Sequence, residues 1–295
     1  MKWYFASNDR SPTFFPLIKA AVSSVLENTA LDPHFIYDGV ENELTHWLES
    51  KGVKIIYHRV SFFEALEKHY EPNMLSIASG TFLRCDIPIL EQEDEFVLYT
   101  DCDALFLKDF ECEIMPEYFA CAPQFDKKNF VDFNAGVMLM NVKKMRESHA
   151  EFIEYIEKNL SKFPAFDQTA YQTFYDGKNT KLPTIYNHKP YWGVNEEAVI
   201  VHFHAAKPTN FASEDDLQAL PYTHTKLYKQ NPEAYAFYLE IFHKYYPEII
   251  YCKESIEKLK SGKYPLIKQK RASFFSRVKS RLSKTCLKFV NKYLK

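Results

Sequence analysis

Phe96-Val97-Leu98-Tyr99-Thr100 runs without a charge and ends on Asp101-Cys102-Asp103. A strand that is apolar throughout, rather than at every second position, must be covered on both faces. That is the situation of a central strand in an α/β sheet. The flanking sequence agrees. Strand-like segments at 2–7, 33–39 and 53–60 alternate with helically spaced apolar residues over 14–26 and 41–51, the second stretch closed by Gly52. Such alternation predicts βαβ units and a mostly parallel sheet flanked by helices. Further strands are expected at 118–122, 136–141 and 198–203, and helices at 81–87 and 168–175. From about 213 onward the pattern is helical, at 215–220, 232–244 and 256–260.

The seven glycines (39, 52, 80, 136, 177, 193 and 262) contain no pair at G-x-G spacing. This excludes the dinucleotide fingerprint and the Walker phosphate loop, so any nucleotide must be held by other means. With 46% apolar and 26% charged residues the chain is not globally disordered. No run of about 18 apolar residues exists to cross a membrane, and Met1-Lys2-Trp3-Tyr4-Phe5 reaches polar Ser7-Asn8-Asp9-Arg10 too soon for a signal peptide. The six cysteines form no C-x-x-C pair; reduced thiols in a cytoplasm are the expectation.

Carboxylates at Asp101 and Asp103 arrive at the carboxyl end of their strand, where α/β sheets bind ligands. Two close carboxylates repel, and hard oxygen donors suit Mn²⁺ or Mg²⁺, which also neutralises a diphosphate. An acidic turn that merely ends a strand reads the same way. His202-Phe203-His204 closes the apolar run Ala198–Val201, and alternation turns both imidazoles to one side, available to a metal or to the core. Lys207 follows with a cation suited to phosphate. Arg84 is expected on a helix, as a surface residue or a ligand contact. Asn134-Ala135-Gly136 admits either a ligand against the backbone or a tight turn. Asp167-Gln168 fits a helix cap equally well. Tyr186, Asn187 and Trp192 lie in a loop polar and aromatic enough for a sugar to stack.

Taken in order, Phe5–Asn8, Arg84, Val97–Asp103, Phe133–Asn141, Asp167-Gln168, Leu182–Asn187 and His202–Pro208 resemble glycosyltransferase family 8 over about residues 1–210. The family is one of retaining enzymes of GT-A fold, with bacterial lipopolysaccharide galactosyl- and glucosyltransferases among them. The resemblance implies a metal pair in Asp101 and Asp103, with Asp101 also near the ribose, and a third ligand in His202. It implies a diphosphate contact in Lys207, a nucleobase site at Ala6 and Asn8, and a donor contact in Arg84. Asn134 and Ala135 fall beside the donor sugar, and Asp167 and Gln168 beneath its anomeric carbon. The implied cofactor is Mn²⁺ or Mg²⁺, the donor a UDP-sugar, and the acceptor a saccharide or glycolipid. This chain departs from the family in Ala205 for glycine, in one residue fewer before Lys207, in Thr209 for tryptophan and in Asn8 for an acid. His204 therefore stays open as an alternative ligand.

Residues 263–295 carry eleven Lys/Arg and no acid, leaving −13 for the first 262 residues of a chain whose net charge is −2. From Phe275 the apolar residues at 278, 282, 286, 289 and 293 step by three or four beside a basic arc, the pattern of an amphipathic helix on an anionic membrane. Repulsion between phosphate and the acidic body argues against nucleic acid. The expected organisation is a GT-A catalytic domain over 1–212, a helical extension over 213–262 and a membrane-association tail over 263–295. The expected location is the cytoplasmic face of the plasma membrane. A metal-dependent hydrolase of sugar phosphates or nucleotide sugars, and a noncatalytic carbohydrate-binding protein, are the alternatives.

Overall fold

Nine strands, β1 (Lys2–Asn8), β2 (Asp32–Asp38), β3 (Lys54–Tyr57), β4 (Phe96–Thr100), β5 (Ala104–Phe106), β6 (Phe119–Pro123), β7 (Phe133–Asn141), β8 (Asn179–Lys181) and β9 (Ile200–His202), appear among the residues described by the computed structural model, 1–249 and 251. Seven form one sheet in the order β3-β2-β1-β4-β7-β6-β8. Only β7 runs against its neighbours; the β3-β2, β2-β1, β1-β4 and β6-β8 pairs are all parallel. The expected α/β sheet, mostly parallel and flanked by helices, is the one observed.

The apolar run predicted to be covered twice is central and covered twice. Val97 and Tyr99 of β4 join one core cluster, with Tyr4, Met138 and Met140, while Leu98 joins the other with Trp3, Phe5, Val137 and Leu139. Trp3 stacks on Phe5 at 4.3 Å and Phe5 on Phe35 at 4.8 Å, so an aromatic ladder crosses neighbouring strands. Each fully buried aromatic contributes on the order of 2–3 kcal/mol by the apolar area it removes from water.

Departures from expectation are local. The 81–87 helix is instead the end of the helix Pro72–Thr81 followed by a tight 3-10 turn, Phe82–Asp86, that carries Arg84 inward. The strand expected over 198–203 shortens to β9 and pairs antiparallel with β5, in a separate two-stranded sheet. Past residue 213 come the helices Glu214–Gln218, Tyr222–Tyr228 and Pro232–Tyr245. They sit against the residues before them: Asn231 Nδ2 donates to the Tyr191 carbonyl at 2.5 Å and Asn195 N to the Tyr238 hydroxyl at 2.9 Å. The helix expected at 256–260 and the basic tail lie outside the described residues. Among the described residues no helix is long and apolar enough to cross a membrane, and Cys85, Cys102, Cys112 and Cys121 are free.

Candidate active site

The two sheets meet where β4 ends. Asp101 N continues the β4-β7 ladder by donating to the Gly136 carbonyl at 2.8 Å. Three residues on, β5 begins and pairs Ala104 with His202, and Phe203 N donates to the Asp103 carbonyl at 2.9 Å. This register sets His202 against the two carboxylates although about a hundred residues separate them in sequence. Its Nε2 lies 3.2 Å from Asp103 Oδ1 and 3.6 Å from Asp101 Oδ2. One ligand atom from each of the three residues falls within 4.8 Å of the other two.

Asn187 decides which ring nitrogen faces the carboxylates. Its Nδ2 donates to Asn134 Oδ1 at 3.1 Å, so its Oδ1 is left to accept from His202 Nδ1 at 3.1 Å. A proton on Nδ1 leaves the Nε2 lone pair directed at Asp101 and Asp103, the tautomer a metal needs. Two carboxylate oxygens and an imidazole lone pair converging on one point repel unless a cation lies between them. The donor set therefore fits a divalent ion of the Mn²⁺ or Mg²⁺ kind. The ring and Asp101 press on Gly136: a Cβ there would meet His202 Cε1 at 2.1 Å and Asp101 Oδ2 at 2.7 Å. Glycine at 136 thus makes room for protein side chains.

Cations surround the cluster. Lys207 Nζ donates to Asp103 Oδ2 and to the Phe203 carbonyl. Burial alone would raise the Asp103 pKa, but the Lys207 ammonium outweighs it and holds the carboxyl well below the usual range. Arg84 is buried, its NH2 donating to Asp101 Oδ1 at 2.7 Å, its NH1 to the Ala135 carbonyl and its Nε to the Thr81 carbonyl at 3.2 Å. Its guanidinium carbon lies 4.4 Å over the Tyr99 ring, whose hydroxyl also donates to Asp101 Oδ1, at 3.1 Å. Burial opposes the Arg84 charge, yet Asp101 and Asp167 on either side hold its pKa well above the ordinary value.

Asp167 does not cap its helix, Phe166–Phe174. It turns inward, with Oδ2 2.8 Å from Arg84 Nε. That N–H is spent on Thr81, so the oxygen receives positive charge but no hydrogen bond. Burial, together with Asp101 and against Arg84, pushes the Asp167 pKa up to about 6. Gln168 Oε1 accepts from Ala135 N at 3.0 Å and Asn134 Nδ2 at 3.1 Å. Asn134, Ala135, Asp167 and Gln168, expected together, are together. They join His202 through the amide chain His202–Asn187–Asn134–Gln168.

Ala6 and Asn8 lie at the carboxyl end of β1, the neighbour of β4. The Ala6 carbonyl accepts from Cys102 Sγ at 3.1 Å. Asn8 is buried, with Nδ2 donating to the Ser76 carbonyl at 2.7 Å and to Ser79 Oγ at 3.1 Å, and Oδ1 accepting from Arg10 N at 3.1 Å. His204, which alternation had placed beside His202, points elsewhere because β9 ends at His202. Its Nδ1 is 3.1 Å from the Tyr191 hydroxyl, and burial, with the nearby His202, Lys189 and Lys207, pushes its pKa far down. Tyr186 and Trp192 are tied to the fold, by the Glu111 and Phe125 carbonyls respectively. The sequence singles out Asn187 only as part of a loop suited to a sugar, not as the partner of His202, and it gives no signal for Tyr99 or Gln124 as site residues.

The family model described as Glycosyl transferase family 8 matches residues 11–209. Comparison with curated protein sequences gives no match. Among solved structures, the apo form of the glycosyltransferase GlyE from Streptococcus pneumoniae TIGR4 is 20% identical with a TM-score of 0.59, over 91% of this chain and 65% of that one. This chain therefore spans just under two thirds of GlyE. The galactosyltransferase LgtC, solved with donor and acceptor sugar analogs, is 17% identical with a TM-score of 0.58, over 77% of this chain and 95% of its own. Mouse xyloside xylosyltransferase 1 is 15% identical with a TM-score of 0.51, over 69% of this chain and 96% of that one. At these identities the likeness is one of GT-A fold.

Proposed function

The chain belongs to glycosyltransferase family 8, and from that premise we propose a metal-dependent, retaining hexosyltransferase. In this reading it moves galactose or glucose from its UDP-sugar to a saccharide of a bacterial surface glycan such as lipopolysaccharide or capsule. The carrying observation is the convergence of Asp101, Asp103 and His202 within 4.8 Å, with the Lys207 cation on Asp103.

Asp101, Asp103 and His202 would hold the Mn²⁺ or Mg²⁺. When bound, the ion supplies positive charge to the diphosphate leaving group. Lys207 would exchange part of its contact with Asp103 for the diphosphate and add a second positive charge where negative charge develops. Arg84 keeps Asp101 in one rotamer by occupying Oδ1 together with Tyr99, and it meets the donor from that position. Asn134 and Ala135 line the donor-sugar position. Gln168 has both lone pairs of its amide oxygen engaged, so it serves by hydrogen bonding rather than as the attacking atom. Asp167 sits beside it with a carboxylate available to a cationic sugar. Ala6 and Asn8 flank the nucleobase. The location assigned is the cytoplasmic face of the plasma membrane, with the basic tail as the attachment.

The test is transfer from a panel of nucleotide sugars with Mn²⁺, with and without saccharide acceptors, alongside calorimetry of UDP and Mn²⁺. Asp103→Ala is expected to abolish transfer and Mn²⁺-dependent UDP binding while leaving the circular dichroism spectrum unchanged. Full transfer by that variant without added metal overturns the metal role. Sugar release equally fast without any acceptor overturns the transferase in favour of a hydrolase, and a protein that binds no nucleotide fits the noncatalytic alternative.

A further inference from the structure

Three consecutive main-chain carbonyls receive hydrogen bonds from the side chains of one short loop. Lys189 Nζ donates to Pro123 at 2.6 Å, the Tyr191 hydroxyl to Gln124 at 2.6 Å, and Trp192 Nε1 to Phe125 at 2.7 Å. β6 ends here, and its pairing with β7 slips in register between Cys121 and Pro123, so side chains satisfy carbonyls that a ladder would otherwise take. Lys189 is fully buried, and burial pushes its amine far below the ordinary lysine value. Its nitrogen also lies 4.4 Å from the Trp192 ring centroid. Burying a lysine for one carbonyl is costly, and none of the steps above uses it.

The clamped segment presents the side chain of Gln124 to Gln168. Gln124 Oε1 accepts from Gln168 Nε2 at 2.6 Å, while Gln168 Oε1 accepts from Ala135 N and Asn134 Nδ2 at its other end. Ala135 N is a donor only, so the amide oxygen of Gln168 must face it and the nitrogen must face Gln124. Turning the amide over would set N–H against N–H at Ala135 and oxygen against oxygen at Gln124. Partners at both ends decide its orientation.

We infer that Gln124, held by Lys189, Tyr191 and Trp192, is a positioning residue that fixes the amide of Gln168 for transfer. This rests on the reading of Gln168 as a donor-sugar contact. Gln124 acts through Gln168, and the loop 189–192 acts through Gln124.

Two substitutions test the inference. Gln124→Leu keeps the bulk and removes the acceptor; Gln124→Glu keeps an oxygen for Gln168 Nε2. Gln124→Leu is expected to lower kcat about ten- to a hundredfold while the donor KM moves less than about threefold, the pattern of a misplaced contact rather than lost binding. Gln124→Glu is expected to recover most of that loss. Wild-type kcat in Gln124→Leu, or a defect confined to KM, overturns the inference. Orientation is read without turnover: a crystal structure of Gln124→Leu should show Gln168 turned from Ala135, and Gln168 unmoved overturns the inference. If the wild-type protein transfers no sugar, the transferase reading fails by itself, and the crystallographic result still decides what Gln124 does.

Discussion

Ala205 stands where the family's motif places glycine, and it adopts φ +83. The left-handed region brings Cβ against the following carbonyl at a cost of about 1–2 kcal/mol, which glycine avoids while losing more entropy on folding. Ala205→Gly is therefore expected to stabilise the protein by about 0.5–1 kcal/mol in urea denaturation. The residue departs from the motif, and its backbone takes a conformation that glycine adopts without strain. Asp167 gives a second residue-scale prediction. Its pKa rises from 3.8 to about 6 on folding, so the native state holds the proton more tightly than the unfolded chain. The resulting stabilisation is complete below about pH 4 and lost as pH rises through about 6. In metal-free protein the stability of Asp167→Asn relative to wild type should grow by about 2–3 kcal/mol between pH 4 and pH 7. A flat difference across that range would mean that the Asp167 carboxyl titrates like a solvated one.

Elements matter here through what they deliver. β5 and β9 have three residues each, too short to announce themselves by alternation, yet their register brings His202 to Asp103. The 3-10 turn Phe82–Asp86 is equally short and carries Arg84. It is fastened two residues on by Asp86, which accepts from His58 Nε2 at 2.8 Å, His149 Nε2 at 3.1 Å, Ser61 N at 2.7 Å and Ser61 Oγ at 2.8 Å. Burial opposes this charge, but the donors prevail and hold the Asp86 carboxyl well below the usual range. Its stabilisation is present at neutral pH and disappears only in acid below the ordinary carboxylate pKa. Asp86→Asn faces donors with an amide and should cost about 3 kcal/mol by urea denaturation at pH 7. A loss below about 0.5 kcal/mol would show that the turn is held by packing alone.

At the scale of the whole molecule, charge divides the chain: −13 over residues 1–262 and eleven basic residues over 263–295. An anionic surface would repel the body and attract the tail, each basic residue contributing about 1 kcal/mol before screening. Removing 270–295 is expected to abolish sedimentation with anionic vesicles and leave turnover of a soluble acceptor unchanged. Raising the salt concentration should weaken the intact protein's vesicle binding steeply. Vesicle binding that survives truncation would place the attachment surface on the body.

The α/β class, the doubly covered β4 and the carboxylates at its end were legible from sequence because hydrophobic periodicity and strand-end chemistry are local properties. The ordered motifs, from Asn8 through Asp101 and Asp167 to Lys207, were legible through likeness to a family. Asn187 directing the His202 tautomer, Gly136 yielding space to that ring, and Gln124 meeting Gln168 were not. Each is a contact between residues far apart in the chain, made by strand register and by loops whose side chains satisfy one another's backbone. His202 and His204 show the difference most sharply. A two-residue spacing treats them alike, and only the end of a three-residue strand paired with β5 sends one to the carboxylates and the other to Tyr191.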